Sequence, residues 1–139
     1  MTHSLVTGAG HRLGRAMALY LAGRGHDVAV HYSSSDVAAA KVVDEIRAMG
    51  RNAVALMADL LDEDQASALL PRASDQLGGP IGCLVNNASI FEHDSVETAT
   101  RMSWDRHMNS NLRAPFILTQ AMAAQGLTPK LDDDGEPYA

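Results

Sequence analysis

The chain has 139 residues, 46% hydrophobic and 20% charged, with a net charge of −6. That balance favours a globular fold over disorder, excludes a generic nucleic-acid or anionic-membrane surface, and leaves enough length to bury one core. No apolar run approaches the roughly 18 residues of a membrane span. The start of the chain lacks a basic, apolar targeting pattern, and the single Cys83 precludes an internal disulfide. A soluble cytoplasmic protein is expected.

Short apolar runs alternate with longer helical stretches, the pattern of a parallel sheet with crossover helices. The first strand is predicted over Ser4–Val6 and its helix over Arg12–Arg24, with Gly25 suited to a left-handed stop. Asp27–Tyr32 is the second strand, apolar enough for burial on both faces. Ser35 is placed to cap a helix through Met49, in which Ala39, Val42, Ile46 and Met49 recur at helical spacing. The third strand is Ala53–Met57. Asp62 and Gln65 resemble a capping box for a helix ending near Leu77, which Pro71 should bend or shorten. Gly78-Gly79-Pro80 precedes a fourth strand over Cys83–Asn86. Ser103 is expected to cap a long helix from Trp104 to Gln125. The layout is a doubly wound α/β sheet of four βα units over residues 1–125, with 126–139 as an acidic, solvated tail.

Thr7-Gly8-Ala9-Gly10-His11-Arg12-Leu13-Gly14 joins the first strand to its helix. Small residues there let the backbone approach a pyrophosphate, whose charge suits the amides at a helix N-terminus. The junction makes this signal stronger than a lone glycine-rich stretch. With Asp59 after the third strand, Asn86-Asn87-Ala88 after the fourth and Asn111 in the last helix, the chain resembles the short-chain dehydrogenase/reductase family over residues 4–125. Arg12, preceded by His11, replaces the middle glycine usual in that family and resembles the NADPH-dependent pteridine-reductase-like branch.

The resemblance implies a Rossmann-type fold, a nicotinamide cofactor and a small carbonyl or pteridine-like substrate. A homo-oligomer is implied too, in which the last helix commonly forms the subunit interface. Gly8, Gly10, His11, Leu13 and Gly14 are candidate pyrophosphate contacts. The second strand ends His31-Tyr32-Ser33-Ser34-Ser35, without the acid that would bind a free ribose, so its hydroxyls and Arg12 point to NADPH rather than NADH. Asp36, early in its helix, is expected to serve the helix dipole. Asp59 and Leu60 are the implied adenine contacts. Asn86 is implied to brace the sheet, while the Asn87-Ala88 backbone approaches the ribose. Ser89 and Phe91 could flank a flat heterocycle.

Pro115 has no amide hydrogen for the carbonyl of Asn111 four residues earlier, so that carbonyl is freed and the helix bends there. The family's asparagine at this position holds a relay water, which makes Asn111 the candidate catalytic residue. Cys83 reads as a packing residue, and His3, His26 and His107 as surface or capping groups, so no metal is expected. The family's proton donor is a tyrosine four residues before a lysine. Tyr20, Tyr32 and Tyr138 are not followed by lysine at that spacing. The segment is therefore expected to be the cofactor-binding half of a reductase of roughly 250 residues. The alternative is a non-catalytic dinucleotide sensor or regulatory protein, distinguished by NADPH binding without turnover.

Overall fold

The structure, a computed structural model, describes residues 2–128. Four short runs rich in Val, Ala, Leu and Ile form β1 (His3–Val6), β2 (Asp27–Tyr32), β3 (Ala53–Met57) and β4 (Ile81–Val85). They pair in parallel in the order β3-β2-β1-β4, so the direction of chain progression reverses beside β1. In the ladder Leu5 faces Ala29 and Leu84, and Val6 faces Val30 and Val85.

Successive strand side chains point to opposite faces, which divides the core in two. Val6, Val28 and Val30 meet α1 (Arg12–Gly23) and α2 (Asp36–Ala48) through Ala18, Val42 and Ile46. Leu5, Ala29 and Leu56 meet α3 (Glu63–Leu77) and α5 (Ala114–Ala124) through Leu69, Leu70 and Leu118. Each fully buried Leu or Val contributes about 1.5–3 kcal/mol relative to exposure. The result is a doubly wound α/β sheet of Rossmann type. Among the described residues, no helix is long and apolar enough to cross a membrane.

β2 and β3 span the predicted residues, whereas β4 runs Ile81–Val85 rather than Cys83–Asn86. The strand starts earlier because Ile81 pairs with His3 of β1, a hold reinforced by Gln125. The Gln125 side chain accepts from Ile81 N at 2.8 Å and donates to Ile81 O at 2.9 Å, tying the strand's first residue to the end of α5. α3 continues through Pro71 to Leu77, so the proline does not shorten it. Leu69, Leu70 and Ala73 are buried around the proline, and their packing outweighs one lost backbone bond.

Two helix starts differ from expectation. Ser35 occupies the N-cap of α2, but its hydroxyl makes no capping bond. α4 (Arg101–Met108) is capped by Thr100 rather than Ser103. Thr100 Oγ1 accepts from Ser103 N at 3.1 Å while Ser103 Oγ accepts from Thr100 N at 3.0 Å, a reciprocal box. The expected continuous last helix is also interrupted. Asn109–Arg113 forms a π turn, in which Ala114 N donates to Asn109 O. The acidic run of the predicted tail and Tyr138 lie outside the described residues.

Candidate functional site

The turn after β1 is built around Thr7 and Gly8. The Thr7 hydroxyl is buried, donates to Val85 O at 3.3 Å, and accepts from Asn87 N at 3.0 Å and Ala88 N at 2.9 Å. Gly8 takes a left-handed φ of 62°, where a side chain is disfavoured, and an added Cβ would lie 3.0 Å from Ala88 Cα. Its amide donates to His31 Nδ1 at 3.0 Å, and its carbonyl accepts from Asn87 Nδ2 at 3.2 Å. Asn87 Nδ2 also donates to Thr7 O at 2.9 Å. The brace is thus Asn87, not Asn86, which is exposed.

α1 then begins directly under this turn. Its first in-register bond is Arg15 N to His11 O at 3.1 Å, so the amides of Arg12, Leu13 and Gly14 lack intrahelical partners and are free for an anion. Gly14 makes the close approach possible, since a Cβ there would stand 2.2 Å from Gly8 O. Arg12 has a φ of 43°. Holding a non-glycine residue in that region costs about 1–3 kcal/mol.

A cavity of about 680 Å³ opens above the turn, at the C-terminal ends of the strands. Of the predicted residues it gathers Gly8, His11, Arg12, Leu13 and Gly14 from the turn, and His31 and Ser33 from the end of β2. Asp59 and Leu60 line it after β3, and Asn87, Ala88 and Ser89 after β4. Gly10 and Ser35 lie in an adjoining cleft with Asp36 and Lys41. Tyr32 packs against the core, Ser34 is exposed, and neither lines these cavities. Phe91 is 87% exposed and stands outside the main cavity.

Asp59 shapes the turn after β3 and borders the cavity. Its Oδ1 accepts from Leu61 N at 2.9 Å. Gln65 Oε1 accepts from Asp59 N at 2.9 Å, so the return arm of the expected Asp62–Gln65 box lands on Asp59 instead. Asp62 Oδ1 itself accepts from Asp64 N and Gln65 N, at 3.0 and 3.1 Å.

His31 is the buried titratable group of the site. Nδ1 accepts from Gly8, and Nε2 donates to Ala58 O at 3.0 Å. Burial holds the imidazole below its ordinary value of 6.5; the Ala58 carbonyl opposes that shift and the Arg72 charge adds to it. The unfolded chain therefore takes up this proton more readily than the folded one. The contribution of His31 is complete above its unfolded value and is lost as pH falls through the lowered folded value. Urea midpoints are expected to decline as pH drops below about 6.5, and less steeply in His31→Asn. Equal acid slopes would remove His31 from the account.

Asn111 sits in the π turn, and its side chain grips the loop after β4. Oδ1 accepts from Ile90 N and Nδ2 donates to Ile90 O, both at 2.9 Å. Its main-chain carbonyl has no donor at Pro115, as expected. The π turn frees the Ser110 carbonyl as well, since Ala114 N turns to Asn109 O. Ser110 is buried and lines the cavity.

Sequence reasoning missed the strap between this loop and α4. Arg106 borders the cavity and donates through Nε and Nη2 to Glu92 Oε1, at 2.9 and 2.6 Å. These bonds hold the Glu92 carboxyl below its ordinary value. Glu92 N donates to His107 Nε2 at 3.0 Å, and Ser103 Oγ donates to Asp94 Oδ2 at 2.6 Å. Helix positions 103, 106/107 and 111 thus meet loop positions 94, 92 and 90. The available signal was that four-residue spacing, about 6 Å along a helix, set against two residues of extended chain, about 6.6 Å. Among the described residues, no group of three His, Cys, Asp or Glu could hold a metal ion.

Sheet order, glycine turn and cavity together define a dinucleotide-binding α/β unit. Residues 2–130 match the short chain dehydrogenase family, and the chain belongs to that family. It is 38% identical over 128 residues to the 3-oxoacyl-(acyl-carrier-protein) reductase FabG of Staphylococcus aureus, covering 91% of this chain and 52% of that protein. Among solved structures, a short chain dehydrogenase from Burkholderia cenocepacia in complex with NADP aligns with a TM-score of 0.85 and 38% identity. That alignment covers 88% of this chain and 50% of the other. FolM alternative dihydrofolate reductase 1 from Brucella suis, in complex with NADP, aligns with a TM-score of 0.85 and 37% identity over 94% of this chain and 53% of that one. The chain spans about half the length of the relatives it matches.

Proposed function

We propose that residues 1–125 are the cofactor-holding portion of an NADPH-dependent reductase, with residues 126–139 leading on toward its catalytic half. The observation that carries this reading is the open first turn of α1, packed against Gly8 through Gly14 and facing the main cavity. Its amides suit a pyrophosphate, Asp59 and Leu60 suit adenine, and the Asn87–Ser89 backbone suits the ribose and nicotinamide side. NADP in the Burkholderia and Brucella structures supports the same assignment.

Arg12 and Ser33 border this cavity, while Asp36 lies in the adjoining cleft and accepts from Val37 N at 2.8 Å. An adenosine 2′-phosphate would therefore meet a guanidinium and a hydroxyl. Replacing both Arg12 and Ser33 by alanine is expected to weaken NADPH about ten- to a hundredfold more than NADH, the scale of lost bonds to a charged group. Equal losses in a binding titration would sink the phosphate assignment.

When bound, NADPH supplies a hydride for a carbonyl or C=N substrate. The chain's own part is to hold and orient. The Asn111 carbonyl offers a water site for a proton relay, and a tyrosine and lysine from the parent's remaining sequence complete it. The name of the Brucella neighbour supports a pteridine-like substrate, and Ser89, which lines the cavity, is the better placed of the two proposed contacts. Trp104, Met108, Leu112 and Phe116 recur every four residues and are exposed, which supports self-association through this helix. We place the parent in the cytoplasm.

A further inference from the structure

Gly8 is held at both of its polar ends by side chains from the flanking strands' exits. Asn87 takes the carbonyl and His31 takes the amide. Gly8 N–H can only donate, and the Ala58 carbonyl can only accept, so the His31 ring state follows from its partners. Nδ1 is bare and Nε2 carries the proton. His31 O also accepts from Ala9 N at 2.9 Å, so this one residue uses both amides at the head of the turn. At the ring's other end, Ala58 immediately precedes Asp59 and Leu60, which border the cavity. The imidazole therefore spans from the turn that faces the pyrophosphate to the turn that faces the adenine.

His31 is only 1% exposed. A ligand in the cavity meets the turns that the ring holds, and scarcely the ring itself. We propose that His31 is a positioning residue for the dinucleotide rather than a direct contact, a neutral Nε2–H imidazole that sets the Gly8 turn against the Ala58–Leu60 turn. This rests on the cofactor assignment above and adds to it a residue that acts through two backbone groups. The clamp also gives the polar side chain at the buried end of β2 a physical reason. An apolar residue there would leave the Gly8 amide and the Ala58 carbonyl without these partners, which burial penalises.

The two arms separate by substitution. His31→Asn puts an amide oxygen where Nδ1 stands and keeps the Gly8 arm. His31→Gln puts an amide nitrogen where Nε2 stands and keeps the Ala58 arm, leaving Gly8 N–H bare. On the protein at its native length, both variants are expected to bind NADPH more weakly than wild type, His31→Gln about tenfold or more, the scale of one stripped part-buried donor, and His31→Asn by clearly less. Losses that are equal, absent or in the reverse order would overturn the proposal, since a packing role would not rank the amides this way.

A second measurement does not depend on either variant folding. In ¹⁵N-labelled protein, a through-hydrogen-bond nitrogen–nitrogen coupling is expected between the Gly8 amide and a bare His31 Nδ1, with the proton on Nε2. The opposite tautomer, or a charged ring at neutral pH, would overturn the clamp. If wild-type protein fails to bind NADPH, the cofactor reading falls instead, and the coupling still decides whether His31 holds the turn.

Discussion

Gly14→Ala is expected to abolish measurable NADPH binding and to lower folding stability by about 1–3 kcal/mol, the usual cost of overpacking. The new methyl would stand 2.2 Å from Gly8 O, 2.6 Å from Asn87 Nδ2 and 2.9 Å from Gly8 C. Gly8 cannot retreat, because His31 holds its amide, Asn87 holds its carbonyl, and Ala88 Cα lies 3.0 Å from its own Cβ position. Relief must come from α1 moving outward, which withdraws the free amides of its first turn from the anion. Gly23, at the other end of the same helix, has nothing within 4 Å of its Cβ position. Gly23→Ala is the control, and it is expected to leave binding intact and stability unchanged or slightly raised. Thermal unfolding and NADPH titration of the pair decide the matter. Equal tolerance at both sites would refute the close approach of helix and turn.

Thr7→Val should be nearly as damaging, although the two side chains have almost the same shape. The hydroxyl accepts from Asn87 N and Ala88 N and donates to Val85 O. Asn87 N keeps a second acceptor in Val85 O at 3.1 Å, so the group left bare is Ala88 N. Stripping that part-buried amide of its partner costs at most about 1–3 kcal/mol. The loss is also directional, because Thr7 joins the exits of β1 and β4 beside the cavity. A drop in both unfolding midpoint and NADPH affinity is expected, with Thr7→Ser restoring most of each. A stable Thr7→Val protein with normal affinity would show that the hydroxyl does not hold the two exits together.

The strands were legible because short Val, Ala, Leu and Ile runs set between turn residues leave few alternatives, and β2 and β3 match residue for residue. The glycine turn was legible for a different reason. Gly8 and Gly14 sit where only a missing Cβ permits the backbone approach, and that constraint is written in composition. What sequence could not resolve were choices between adjacent or similar residues. Asn86 and Asn87 are identical side chains one position apart, and a single step moves the amide from solvent to Gly8 O. Thr100 and Ser103 are both good caps, three apart, and only the reciprocal bonds show which begins the helix. His31 lay within the predicted cofactor set, but its burial and its two partners belong to the register of β2 against its neighbours. Pro115 revealed a missing donor at Asn111; the extra residue in the π turn left no mark in composition.

That extra residue gives the last helix a phase. Each residue of an α-helix advances the side chain by about 100°, so one residue more before Ala114 turns everything after it by that angle. Leu118 faces the core beneath the sheet, while Ser110, near the start of the turn, faces the cavity. Both orientations cannot be kept if the turn closes into regular α-helix. Length in this stretch therefore carries meaning that residue identity does not: a one-residue deletion among positions 109–113 would leave every motif readable in the sequence while rotating α5's faces relative to those of α4. Comparisons that allow a gap to slide freely through these five positions would align the letters and lose the geometry.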